Sequence, residues 1–137
     1  MHYADILISR LVQDPKLSNI VFRENSGEHI LPFPLRDCCV FYRTEHQQAD
    51  FLIGDPDPLF SDSLYLTVAV HEKLGSSGCR RTAENICIEL TRLDSEKNIL
   101  ALSGEPCRFN EDMLAYLIEI RLRLRADRRS EADDDPS

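Results

Sequence analysis

Two side chains have types and positions suited to covalent chemistry: Cys79, expected to open a helix, and His71, expected to end the strand before it. A helix N-terminus can lower a thiol's pKa, and a nearby histidine can take its proton. Nucleophilic catalysis also needs a group that orients the base, and the sequence supplies none. Cys79 therefore reads more simply as an ordinary residue beside a glycine-rich turn, and His71 as a polar strand end facing solvent. No catalytic residue is expected. Metal sites commonly announce themselves as C-x-x-C or H-x-x-x-H, and neither spacing occurs. Cys38 and Cys39 are adjacent, so in a strand they point to opposite faces and cannot chelate one ion together. Cys87 falls on the apolar stripe of the expected helix and reads as core. Neither a metal nor a cofactor is expected.

Gly75-Ser76-Ser77-Gly78, followed by Cys79-Arg80-Arg81, has the outline of an anion cradle at a helix N-terminus. It lacks the glycine spacing and lysine of a P-loop and the pattern of a dinucleotide fold, so it is read as a flexible turn joining strand to helix. Arg121, Arg123 and Arg125 form a basic row with no interleaved aromatic residues to stack bases. Such a row solvates its face or pairs with acids on a neighbouring strand or subunit.

The elements that would hold these residues follow from periodicity. Tyr3, Ile6, Leu7 and Leu11 predict an amphipathic helix closed by Asp14-Pro15. Asn19–Glu24 and Cys38–Arg43 read as strands, the second led in by Pro32 and Pro34. Glu45–Asp62 contains Gly54, Pro56 and Pro58 and is expected to be a long loop, with a short strand possible at Phe51–Ile53. Strict alternation makes Ser63–Glu72 a strand, and Ala83, Ile86, Cys87, Leu90 and Leu93 predict a helix over Cys79–Leu93. Asn98–Leu102 and Cys107–Phe109 read as short strands. In Asp112–Arg125, Leu114, Tyr116, Ile118, Ile120, Leu122 and Leu124 alternate with polar residues, with Leu117 as the exception. A helix would spread those six around its circumference, so the segment is read as a strand. The expected class is α+β: a single domain with a mostly antiparallel sheet and two main helices packed on one face.

The chain has 137 residues, 42% hydrophobic and 29% charged, which suits one soluble domain. Sixteen basic against 24 acidic residues give a formal charge of −8, the wrong sign for a protein that grips phosphates. The domain is expected over 1–125, with 126–137 a disordered acidic tail. No apolar run approaches the roughly 20 residues that span a bilayer, and Asp5 and Arg10 interrupt any signal-peptide core. Five cysteines without regular spacing suit a reducing interior better than a disulfide framework.

The order and texture of these segments carry a resemblance. The alternating strand Leu64–Val70, the turn SSGCRR, the helix AENICIEL and the run NILALSGEPCRFNEDMLAYLIEIRLRLR resemble the tail terminator proteins of tailed bacteriophages. The leading helix, the strand at Asn19–Glu24 and the proline-rich LPFPLRDCCVFY fit as well, so the likeness covers about residues 3–125. It rests on no catalytic signature. The resemblance implies a structural virion protein of the tail or neck, assembled in the host cytoplasm, with no enzyme activity. It would form a homo-oligomeric ring, usually a hexamer, that caps the tail tube protein, stops its polymerisation and meets the head-side connector or head-closure protein. DNA would pass through the bore without specific binding, an arrangement helped by negative charge. Another phage ring protein, for head closure or the tail tube, and an acidic secretion chaperone or adaptor remain as alternatives. For subunit or partner contacts the expected residues are Phe51, Leu52, Ile53, Leu59 and Phe60, whose apolar surface needs cover. Glu119, Arg121 and Arg123 come second, as a mixed-charge strand face able to pair across an interface.

Overall fold

A computed structural model describes residues 2–25, 38–50 and 59–126, without the side chains of 47–50 and 59. Helix α1 (Tyr3–Val12) forms as its spacing predicts, but it buries Ala4, Leu7, Ile8 and Leu11, so the stripe is turned slightly from the expected one and Tyr3 and Ile6 are only half-buried. It ends where Asp14 caps a 3-10 turn, Pro15–Leu17, by accepting a hydrogen bond from the Lys16 backbone N–H at 3.0 Å. Strands β1 (Ile20–Glu24), β2 (Cys38–Asp50) and β3 (Leu59–His71) follow, then helix α2 (Gly75–Leu93). Strands β4 (Ile99–Gly104), β5 (Arg108–Asn110) and β6 (Ala115–Arg125) complete the order.

The six strands form one sheet in the order β1-β2-β3-β6-β4, with β5 also paired to β6. β4 meets β6 at Ile120–Leu124 and β5 meets it at Ala115–Leu117, so these two short strands lie end to end along one side of β6. All pairings are antiparallel except β1 with β2. The class is therefore α+β, a mostly antiparallel sheet with two helices on one face. Val40, Leu64, Leu66, Val68, Val70, Ile118, Ile120, Leu122 and Leu124 meet the stripes of α1 and α2 in one apolar cluster. A smaller cluster on the other face joins Cys39, Phe41, Ala69, Met113, Ala115 and Leu117. It explains Leu117, whose apolar character breaks the alternation because that face has a core of its own. Cys38 packs against the larger cluster and Cys39 lies in the smaller, as adjacent strand residues must.

Several expectations need correction. Glu45–Asp62 is not one long loop: Gln48, Ala49 and Asp50 pair with Ser61, Phe60 and Leu59, so both flanking strands run well into it. Backbone ladder bonds hold these residues whatever their side chains, and Gly54, Pro56 and Pro58 fall in 51–58, outside the described residues along with the strand considered at Phe51–Ile53. The last strand starts at Ala115. Leu114 has φ +51° and is half exposed, and its carbonyl accepts from Glu72 N–H at 3.0 Å in the turn before the strand. The helix begins at Gly75, so the glycine-serine segment forms its first turn rather than a connecting turn. Gly75 itself has φ +73° and ψ 174°, a conformation almost confined to glycine. At Gly78 a Cβ would stand 3.1 Å from Leu74 Cβ, so that glycine permits close approach. Pairing of β6 with β3 ends at Arg125, and of the tail expected over 126–137 only Ala126 lies among the described residues.

Polar clasps tie α1 to the far end of α2. Arg10 donates to both carboxylate oxygens of Glu96 at 2.7 Å and to Leu93 O at 2.9 Å, and the Tyr3 hydroxyl lies 2.6 Å from Asp94 Oδ1. Arg92 bridges the buried carboxylates of Glu89 (2.7 Å from its Nε) and Asp14 (3.2 Å). The Arg10 guanidinium, then the Tyr3 hydroxyl, hold the Glu96 carboxyl well below its ordinary value of 4.5. A depressed carboxyl stabilises the fold above its unfolded pKa and loses that contribution as pH falls toward the folded one. Glu96→Gln should therefore lower the Tm at pH 7, and the gap to wild type should narrow below about pH 4.5. Thermal unfolding of both proteins across pH 3–7 checks this, and a gap independent of pH would assign the clasp no electrostatic part.

Candidate functional site

On the sheet face opposite the helices, register builds cross-strand rows from β2, β3 and β6. Arg43, Tyr65 and Arg121 make one row, Glu45, Ser63 and Arg123 the next, and Phe41, Thr67 and Glu119 a third. The guanidinium carbons of Arg43 and Arg121 lie 3.8 and 5.0 Å from the Tyr65 ring centroid, within cation–π range. Arg43 donates to Glu45 Oε1 at 2.6 Å, Arg121 approaches Glu119 at 4.0 Å, and Arg123 donates to Ser61 Oγ at 3.5 Å. The aromatic partner missing from the arginine row in sequence is thus supplied by β3. Along this face the surface grades from the apolar row Cys39, Ala69 and Leu117 to the charged rows. Glu119, Arg121 and Arg123 lie together, as expected of one strand face, with Arg121 the most exposed of the three.

The other expected contact residues are only partly placed. Phe51, Leu52 and Ile53 lie outside the described residues. Leu59 pairs with Asp50 at the start of β3, and Phe60 is half-buried, with its carbonyl accepting from Ala126 N–H at 3.1 Å.

A groove of about 440 Å³ runs between α2 and the sheet, lined mainly by Ala83, Cys87, Ile88, Ile118 and Ile120, with Arg80 and Glu84 at its polar side. Gly104 forms part of its wall, where a Cβ would meet nothing closer than Glu119 O at 3.9 Å. Ile88 is 63% exposed on the helix, and Leu100 and Leu102 are exposed on β4. Leu102 pairs with Leu122, which places it on the same helix-bearing face. Nothing in the sequence singles these residues out, because single apolar positions in a short strand are common on ordinary surfaces.

The cysteine and histidine considered for nucleophilic chemistry have separate partners. Cys79 is fully buried and directs its thiol to Tyr116 O at 3.4 Å, while His71 Nδ1 accepts from Lys73 N–H at 3.1 Å. Burial, then the neighbouring Cys107 thiol, pushes the Cys79 pKa up to about 12. This is opposite in sign to the lowering that a helix N-terminus can produce. Cys79 sits beyond the first helical turn, where the dipole acts most strongly, and desolvation disfavours the thiolate. Burial likewise raises Cys39 to about 11 and raises Cys87. Cys87 packs partly against the main core, as its stripe position predicts.

Among the described residues one grouping could hold a metal ion: His2, His46 and Asp62. They come from three separate elements, so no spacing in the sequence could reveal them. No described helix is long and apolar enough to cross a membrane. Comparison of the chain with models of known protein families gives no match, and comparison with curated proteins gives no significant match.

Proposed function

We propose that the chain is a self-assembling structural subunit whose working form is a ring. The observation that carries this reading is a sheet with two unlike edges. Among the described residues β1 pairs only with β2 and β4 only with β6, Val21 is exposed on the first, and Leu100 and Leu102 are exposed on the second. Edge strands present unsatisfied backbone groups, and contact between two different surfaces of one chain builds closed rings when the rotation closes.

The particular ring we propose is a tail terminator of a tailed phage or prophage, by the resemblance of residues 3–125 and the fit of an α+β fold with two helices on one sheet face. It would be a hexamer that caps the tube, stops its growth and joins the head-side connector, with DNA passing through. A net charge of −8 suits a bore that should not hold phosphates. Such a role needs no turnover, and the sequestered Cys79 thiol agrees with it.

The groove beside α2 favours a second reading, a secretion chaperone or adaptor that cradles an apolar segment of its client as a dimer. Deletion of the gene distinguishes the readings. Over-long tails are expected for a terminator, no tails for a tube protein, and normal tails detached from heads for head closure. Normal particles together with a failed secretion substrate would overturn the ring reading in favour of the chaperone.

A further inference from the structure

We propose that His2, His46 and Asp62 form a binding site for a divalent zinc-type ion, held by two imidazoles and one carboxylate. The site is built at a local irregularity. Glu45 pairs with Ser63 and Gln48 with Ser61, so His46 and Gln47 together stand opposite Asp62 across a β-bulge. Bulges re-aim side chains and are over-represented beside functional sites. Asp62 pairs with Leu124, which puts it on the helix-bearing face, where His2 occupies the N-cap position of α1 without a side-chain capping bond.

The donor spacing is that of ligands around an ion. One donor atom from each residue lies within 4.8 Å of the other two. The Nδ1 atoms of His2 and His46 stand 3.4 and 3.5 Å from Asp62 Oδ2. Ligands bound at about 2.0–2.1 Å to a tetrahedral zinc are about 3.3 Å apart, whereas a direct N–H···O bond is commonly about 2.9 Å. The two rings stack with centroids 3.7 Å apart and planes inclined by 16°. An imidazole lone pair lies in its ring plane, so binding requires one ring to turn about its side-chain bonds until both Nδ1 atoms face the ion, a movement open to the partly exposed histidines.

The surroundings suit the ion. Asp62 is 1% exposed, and a carboxylate at that depth gains from a positive charge beside it. The histidines are about one-third open to solvent, which gives an entry path. Thr44 Oγ1 lies 3.3 Å from His46 Nε2, so that nitrogen can carry the proton and leave the Nδ1 lone pair for the metal. Nitrogen and oxygen donors without a thiolate fit zinc and its neighbours in the first transition row. Three protein ligands leave one position for water. The ion would pin the start of α1 to the β2–β3 ladder.

The test uses the full chain without an oligohistidine tag, stripped with chelator and titrated with Zn²⁺ by calorimetry, with metal content measured after dialysis and Tm followed in parallel. One zinc per chain and a Tm that rises with zinc concentration are expected. His2→Ala and His46→Ala should each weaken binding by at least about tenfold while keeping the metal-free Tm near that of wild type. Their circular dichroism spectra report whether either has misfolded, in which case the milder His46→Gln replaces it. Absence of stoichiometric binding would overturn the proposal. So would equal affinity in wild type and the histidine variants, which would place the metal on the free thiols.

Discussion

Leu66→Ala is expected to destabilise the protein by about 3–5 kcal/mol and to lower its Tm by roughly 10–20 °C. Leu66 is fully buried at the centre of β3, paired with Tyr42 on one side and Ile120 on the other, inside the cluster that joins both helices to the sheet. Removing its isobutyl group loses the transfer free energy of the buried methyl groups and leaves a cavity that neighbours on fixed strands cannot refill. Urea denaturation at neutral pH measures the loss. A cost under about 1.5 kcal/mol would mean that α1 or α2 settles onto the sheet to close the gap.

Leu117→Ala should cost less, about 2–3 kcal/mol. Leu117 is almost as deeply buried, but it belongs to the small cluster with Cys39, Phe41, Ala69, Met113 and Ala115, which no helix covers among the described residues. Met113 lies in the turn before β6 and has the flexibility to move into the space, which softens the cavity term. Equal losses at the two leucines would show that the second cluster is as rigidly enclosed as the first. Both measurements belong in one denaturation series, because the ordering of the two variants decides the question more securely than either value.

The contrast between the two clusters also marks what could be read from sequence. Leu64, Leu66, Val68 and Val70 announce β3 by alternation because one face of that strand meets the helices. Ile118 to Leu124 do the same for β6. The outer half of β2 carries no such signal, since Glu45-His46-Gln47-Gln48 is polar throughout and its pairing is made by backbone groups. The parallel pairing of β1 with β2 was equally hidden, because parallel and antiparallel neighbours of a five-residue strand demand the same side chains. Helix α2 starts a turn earlier than its apolar stripe suggests, since Gly75 and Gly78 satisfy steric demands that composition does not reveal.

Candidate sites followed the same division. Glu119, Arg121 and Arg123 were recognisable as a face because strand period alone assembles them. The Tyr65 ring against Arg43 and Arg121 required knowledge of register, and His2, His46 and Asp62 required the whole fold, including a bulge that periodicity cannot announce. Cys79 and His71, which already read more simply as ordinary residues from the sequence alone, have separate partners, and burial raises the pKa of the Cys79 thiol.

The place of β6 in the sheet has a consequence for the order of events during synthesis. β3 lies between β2 and β6, and its pairing with β6 joins Ser61 to Arg125 and His71 to Ala115, across all of α2, β4 and β5. As the chain emerges from the ribosome, one flank of β3 stays open until nearly the last described residues appear. Both β4 and β5 pair with β6 as well, so neither can join the sheet before it. Folding is consequently a late, long-range closure, slow by comparison with a helical bundle of the same size. If the proposed ring forms through the sheet edges, that timing would withhold the β4 edge until the protomer is complete.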